Sequence, residues 1–344
     1  MKALDIHQAN VIGLGAHQFA KGLVTQIERN DSLSVCEHYL HRTMTKNFSS
    51  AGGNTVSVSY YLGFLSRIFE IFFWKYYRKG INDLVVLGDL PLNTSVKQYV
   101  LCHQSLMFNS FSFISPASYK FLFFRLCYIF FLKADDVVLV QSEPMKFKFH
   151  SKISNKINVK VITLDPVFCD ISIEARDRRI CSADHPERLN LVYPSAFYPH
   201  KNHYLLDEIA FDKSTRITVT ITSDEFPAEN DSVYHIGRVS RDDIFELYKE
   251  VDALLFLSGD ESLGMPIFEA IKSNLPIICP RADYTVMLEG ENCFYFDVND
   301  PLSLEKAISS LRHKLNTGWW PQWPINEILE GDNRVKVDKL ILGL

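Results

Sequence analysis

Asp252-Ala-Leu-Leu-Phe-Leu-Ser-Gly-Asp-Glu261-Ser-Leu-Gly264-Met-Pro266-Ile-Phe-Glu269-Ala270 decides the architecture. Ala253 to Leu257 is a short continuous apolar run, the mark of a strand buried on both faces. Ser258 and a glycine-bearing loop end it. Pro266 then sits where a first-turn proline opens a helix, and Asn274 where a residue tolerant of left-handed backbone closes one. Strand, loop and helix in this order form half of a βα unit. In open α/β sheets, ligands bind beyond the carboxyl ends of strands, where helix N-termini offer unpaired amides and a positive dipole end.

The same alternation extends in both directions. Downstream, Pro276 to Cys279 and Cys293 to Phe296 read as strands and Pro301 to Leu315 as a helix. Upstream, Leu189 to Tyr193 and Arg216 to Thr222 read as strands, with a helix expected over Lys201 to Phe211. Ser240-Arg-Asp-Asp243 pairs an N-cap serine with an acid three residues on, opening a helix that runs to Glu250. In the first half, Leu84 to Leu87, Tyr99 to Leu101 and Val137 to Val140 are strand candidates between helices at 64–79 and 119–133. The polar stretch from Asp170 to Arg188 reads as a boundary. The expected fold class is α/β with two Rossmann-like domains, each on a parallel sheet. The first covers 1–165, a linker 166–188, the second 189–315, and the segment 316–344, with Trp319, Trp320 and Trp323, is expected to pack back toward the first domain.

Composition agrees and excludes several classes. The 344 residues suffice for two domains of about 150 residues each. Hydrophobic residues make up 47 % and charged ones 22 %, which argues against long disorder. The net charge of −5 gives no reason to expect nucleic acid as a partner. Seven scattered cysteines without a Cys-x-x-Cys exclude a zinc ribbon or a disulfide framework. The first twenty residues hold no signal-peptide core, and the apolar stretch Phe121 to Leu132 is broken by Arg125 and falls short of a span of about 20 residues, so a cytoplasmic protein is expected. Asp-x-Asp, P-loop, Gly-x-Ser-x-Gly and His-Glu-x-x-His are all missing. Without an Asp-x-Asp pair to hold a divalent ion on a diphosphate, no metal or other cofactor is expected.

Taken alone, Glu269 could merely complement the helix dipole and Glu261 could be a solvated loop acid. The block around them points elsewhere. Glu261-Ser-Leu-Gly264-Met-Pro266-Ile-Phe-Glu269-Ala270, followed by Ser273-Asn-Leu-Pro276-Ile-Ile278, resembles the C-terminal domain of glycosyltransferase family 4, the retaining nucleotide-sugar transferases of the GT-B fold. His235-Ile-Gly237-Arg-Val upstream and Phe294-Tyr-Phe-Asp-Val-Asn-Asp300-Pro downstream are similar to further segments of that family. The resemblance covers about residues 189–310. It implies two domains facing across a cleft and transfer of a sugar, with retention, from a UDP- or GDP-sugar to a glycan. The acceptor it suggests is a lipid-linked oligosaccharide of a bacterial surface polysaccharide such as O-antigen, capsule or lipopolysaccharide.

The resemblance also implies roles. Glu269 would meet the nucleotide ribose and Glu261 the donor-sugar hydroxyls. Ser262 and the amides of Leu263, Gly264 and Met265 would line the sugar and diphosphate. Lys201, in Tyr198-Pro-His-Lys-Asn202, matches the phosphate-binding lysine, a sensible place for a cation because the departing diphosphate gains charge. The arginine that the pattern places five residues earlier is Ala196 here, leaving His200, His203 or Arg238 as possible substitutes. In the first half, Gly13, Gly15 and His17 resemble the acceptor-side glycine loop. His103 stands at a strand end where the family often keeps a histidine beside the reacting carbon.

Two readings stay open beside transfer: a nucleotide-sugar epimerase, and a degenerate GT-B subunit that only binds, which Ala196 favours. The segment from Tyr60 to Lys133 carries eight Lys/Arg against three acids, a net +5, so the remainder is −10. Its aromatic helices at 64–79 and 119–133 suit either packing on the first sheet with basic tips outward or docking on an anionic membrane surface. A peripheral position on the inner face of the cell membrane follows from the second.

Overall fold

The structure, a computed structural model, describes residues 1–11, 14–42, 53–59, 63–76, 80–112, 116–164, 188–288, 290–331 and 333–344. It divides into two compact units, Met1–Cys169 with Leu329–Leu344, and Asp170–Ile328. Each holds one wholly parallel sheet.

In the first unit the strands are β1 (Lys2–His7), β2 (Leu33–His41), β3 (Asn54–Val58), β4 (Asp83–Val86), β5 (Lys97–Leu101), β6 (Val137–Val140) and β7 (Asn158–Val161). They lie in the order β3-β2-β1-β4-β5-β6-β7, so the chain winds outward from β1, then returns and winds the other way from β4. The helices of this unit before the chain crosses to the second are α1 (Leu14–Glu28), α2 (Phe64–Phe73), α3 (Pro116–Phe131) and α4 (Glu143–Lys152), and a last short helix, Val337–Leu342, comes from the returning C-terminal segment. Leu84, Val86, Val100, Val138 and Val140 form a buried floor under Trp74, Tyr128 and Phe149.

The second unit repeats the plan with six strands: β8 (Leu189–Tyr193), β9 (Thr215–Val219), β10 (Val233–His235), β11 (Ala253–Leu255), β12 (Ile277–Pro280) and β13 (Cys293–Phe296). Their order is β10-β9-β8-β11-β12-β13, with the reversal between β8 and β11. Its helices are α5 (Arg241–Glu250), α6 (Met265–Lys272) and α7 (Pro301–Asn316). Ser240 caps α5 in the expected box, its hydroxyl accepting from the Asp243 amide while the Asp243 carboxylate accepts from the Ser240 amide. Asn274 has φ +54 just past α6.

Three expectations need correction. The helix over Lys201 to Phe211 is two short 3₁₀ turns, Pro199–Lys201 and His203–Leu206. Asn202 interrupts them at φ +51, and its Nδ2 donates to the Leu257 carbonyl at 2.9 Å. The tryptophans stay on the second unit: Trp319 meets the Phe294 ring edge-on at 6.0 Å, and Trp323 Nε1 donates to the Leu275 carbonyl at 2.9 Å. The return begins only at Leu329, whose carbonyl accepts from the Leu164 amide, and Val335 continues it beside Val161. Two cations of the aromatic helices also face inward. Arg67 is buried and paired with Glu70, which also meets His7 Nε2 at 2.8 Å. Arg125 donates to the carbonyls of Met107 and Asn109. Residues 77–79 of the first of these helices lie outside the described residues.

Candidate functional site

The strand order reverses between β8 and β11, the topological switch point at whose carboxyl ends open α/β sheets form their binding crevice. Lys201 comes from the turn after β8 and Glu261 from the loop after β11. Sixty residues apart in sequence, they form an ion pair between Nζ and Oε1. Each side chain is only 16 % exposed. Lys201 Nζ also lies 5.6 Å from the centre of the Phe256 ring.

The backbone under this pair is cross-tied. The Tyr193 hydroxyl donates to the Lys201 carbonyl, and the Gly259 amide donates to the His200 carbonyl at 2.9 Å. The Tyr284 hydroxyl donates to the Ser258 carbonyl. Asn202 Nδ2 to the Leu257 carbonyl and the Gly259 amide to the His200 carbonyl tie the two loops to each other, while Tyr193 and Tyr284 each anchor one of them, so the ion pair stands on a prepared frame.

Gly264 begins α6 with φ +76, and a Cβ there would come within 3.1 Å of Ile267 Cδ1, so the turn is built for glycine. Leu263 is buried beneath it, and Met265 and Ser262 are half-buried beside it. Gly264 has no side chain to cap the helix and Pro266 has no N–H, so no N-cap side chain satisfies the amides of this turn. Glu269 is the fifth residue of α6, in its second turn rather than its first. Its carboxylate is buried and accepts a hydrogen bond of 3.0 Å from the Tyr248 hydroxyl of α5. Burial and the neighbouring carboxylate push the Tyr248 hydroxyl far above its ordinary pKa, so it stays a donor. Neither Glu261 nor Glu269 is turned out into water.

The substitutes considered for the missing arginine do not supply its charge. His203 is buried among the rings of Tyr193, Phe197 and Phe226, and burial together with Lys201 pulls its pKa down to about 4. Burial, then Lys201, also lowers His200. Arg238 is largely exposed and pairs with Glu225 at 3.0 Å. Lys201 is the cation that this arrangement brings to the crevice.

In the first unit the sequence-selected residues gather less tightly. His103, just beyond β5, has Nε2 3.1 Å from Asp89 Oδ2, and its amide donates to Asp89 Oδ1 at 2.7 Å. Asp89 was not foreseen; it stands at the end of β4 with φ +64, and burial raises its carboxyl pKa. The signal was Gly88-Asp-Leu-Pro at a strand end, a pattern that calls for unusual backbone. Gly88 packs against Asn10, so this loop abuts the one after β1. Gly15 lies in the first turn of α1, and His17 is half-buried on the same helix, with its pKa lowered by burial. Gly13 lies outside the described residues.

Three comparisons bear on these sites. Residues 228–315 match the family model described as "Glycosyl transferases group 1". The serotype-specific mannosyltransferase WbdA of Escherichia coli is 29 % identical over 82 residues, 24 % of this chain; the match covers a tenth of that relative's length. Among solved structures, Anabaena HepE in complex with UDP and glucose is 13 % identical, covering 100 % of this chain and 98 % of its own, with TM-score 0.68. The lipopolysaccharide outer core galactosyltransferase WaaB in its apo form is 12 % identical, covering 100 % and 99 %, with TM-score 0.63. Such likeness at low identity speaks for the fold, here the two-sheet GT-B architecture. The segment that carries Glu261, Gly264 and Glu269 thus matches the group 1 glycosyl transferase model, in a chain whose two parallel-sheet units share the fold of GT-B glycosyltransferases.

Proposed function

We propose that this protein transfers a sugar from a nucleoside-diphosphate sugar to a glycan acceptor, with retention at the anomeric carbon. The observation that carries the reading is the meeting of Lys201 with Glu261 at the β8/β11 reversal, Glu261 lying in the segment 228–315 that matches the group 1 glycosyl transferase model. Lys201 and the amides of the turn through Leu263, Gly264 and Met265 take the diphosphate. Glu261 accepts from hydroxyls of the sugar and Glu269 from those of the ribose. As the bond from the anomeric carbon to the phosphate oxygen breaks, the leaving diphosphate gains charge, and Lys201 stabilises it. The acceptor oxygen forms the new bond on the same face, and its proton passes to the departing phosphate oxygen. A cation and helix amides fill the part that a divalent ion plays elsewhere, so turnover is expected to persist in a chelator. His103, held by Asp89, and the Gly13, Gly15 and His17 loop belong in this reading to the sugar and acceptor side.

The relatives give the reading its direction. WbdA is a mannosyltransferase, HepE was solved with UDP and glucose, and WaaB acts on the lipopolysaccharide outer core. A UDP- or GDP-hexose as donor and a lipid-linked oligosaccharide of a bacterial surface polysaccharide as acceptor are the corresponding proposals for this chain. Work on a lipid-linked acceptor places the protein on the inner face of the membrane, and no helix among the described residues is long and apolar enough to cross one. The contact would be made by α2 and α3.

A donor screen tests the core of this reading. Thermal shift against UDP-, GDP- and ADP-sugars should show stabilisation by one nucleotide class, because bound ligand stabilises the fold by mass action. Lys201→Ala and Glu269→Ala should each weaken that binding tenfold or more, about 1.4 kcal/mol or above. No stabilisation by any of them would end the proposal. The second reading, a subunit that binds without turning over, is favoured by Ala196 together with the neutral His200 and His203. It predicts donor binding with no transfer to any acceptor and no hydrolysis. Donor converted to its epimer without acceptor would instead mark an epimerase.

A further inference from the structure

We propose that Glu261 makes this site prefer a sugar-bearing nucleoside diphosphate over the bare nucleoside diphosphate, by pairing with Lys201 whenever no sugar is present. The inference rests on the donor-site reading of Lys201 given above and adds a function for the ion pair itself. Both side chains are mostly withdrawn from water, and the loops that carry them are tied to each other by Asn202 to Leu257 and Gly259 to His200. A partner left behind when the other is engaged therefore stays in a poorly hydrated place.

The consequence follows from charge. A diphosphate entering the crevice must draw on Lys201, the cation there, and so must part it from Glu261. With a bare diphosphate, the Glu261 carboxylate is left unpaired in a shielded place beside new negative charge, which is the costly way to break an ion pair. With a sugar attached, its hydroxyls donate to Glu261, and hydrogen bonds to a charged acceptor are among the stronger ones. Lys201 passes from carboxylate to phosphate while Glu261 passes from ammonium to sugar. After transfer the sugar has left, Glu261 recovers its claim on Lys201, and the spent diphosphate is expelled. The pair thus acts against product retention in the same motion that admits the donor.

The test is calorimetric titration of the full chain with UDP, GDP, UDP-glucose and GDP-mannose, comparing the wild type with Glu261→Gln and Lys201→Ala. For the nucleotide that the wild type accepts, Glu261→Gln should bind the bare diphosphate about tenfold tighter and the sugar-bearing form about tenfold weaker, reversing the preference. Lys201→Ala should lose both. Circular dichroism and thermal midpoints confirm that each variant is folded; if Glu261→Gln is not, Glu261→Ala serves in its place. Bare-diphosphate affinity that is unchanged or reduced in a folded Glu261 variant overturns the exchange, while loss of binding in Lys201→Ala would leave the donor site standing. If neither nucleotide binds the wild type, the donor site and the exchange fall together.

Discussion

His203 is a residue whose protonation the fold has to refuse. Above pH 6.5 its ring is neutral folded or unfolded, so it contributes no pH dependence. Below that, the unfolded chain takes up a proton, while the buried ring resists until about pH 4. Stability must therefore fall as pH drops from 6.5 toward 4, by about 2 kcal/mol at pH 5. His203→Phe, which keeps a ring in the nest of Tyr193, Phe197 and Phe226, should flatten the fall in thermal midpoint between pH 7 and pH 5. A slope equal to wild type would show that another group governs acid sensitivity. Single residues were legible in the sequence where their chemistry is local: Glu261, Glu269 and Gly264 stand in one short block. Lys201 was legible as a cation but not as the partner of Glu261, because that contact exists only once β8 and β11 lie side by side. Asp89 escaped for the same reason, its tie to His103 spanning two adjacent strands.

Elements were readable where punctuation was strong. Pro266, Asn274 and the Ser240–Asp243 box marked α6 and α5 because caps act through neighbouring backbone alone. β1 and β2 carried no such signal. Asp5 and His7 in β1 and His38 in β2 are buried yet polar, which breaks the apolar run expected of a central strand. The fold satisfies them from afar: the Glu37 amide donates to Asp5 at a break in the β1–β2 register, and His38 meets Glu28 at 3.0 Å. The apolar spacing of 201–211 suggested a helix, but Asn202 leaves helical backbone to reach Leu257, and Lys201 gains its place in the crevice from that break. The turn at Gly264 gives the prediction at this scale. Gly264→Ala places an L side chain in left-handed backbone, at a cost of about 1–2 kcal/mol, and presses on Ile267. Both a lower unfolding midpoint and weaker donor binding are expected, since the same turn presents the amides. An alanine variant with wild-type donor affinity would remove those amides from the site.

For the molecule as a whole, the two sheets share a plan but not a surface. In the first unit α2 and α3 touch through Phe72 and Phe131, whose rings are 5.0 Å apart. Leu65, Phe69, Tyr119, Ile129 and Phe130 stand exposed along them, Phe130 by 72 %. Apolar side chains of this size gathered on neighbouring helices mark a contact surface rather than chance. Arg67 and Arg125 turn inward, but so do the acids Glu70 and Asp83, so the outward charge stays close to the sequence count of +5. Lys75 and Lys120 remain outside, each lying over an aromatic ring. The attachment to an anionic bilayer proposed above should rest chiefly on inserted rings, helped by a few lysines worth about 1 kcal/mol apiece near the surface. Two effects separate in sedimentation with vesicles. Raising salt from 0.1 to 0.5 M should weaken binding to vesicles containing 30 % phosphatidylglycerol only several-fold, because screening acts on the lysines alone. Phe69→Asp with Phe130→Asp should abolish it while leaving nucleotide binding by the second unit intact. Binding that vanishes with salt but survives the double aspartate variant would assign the contact to charge, and an equal lack of binding to all vesicles would leave this apolar face to a protein partner.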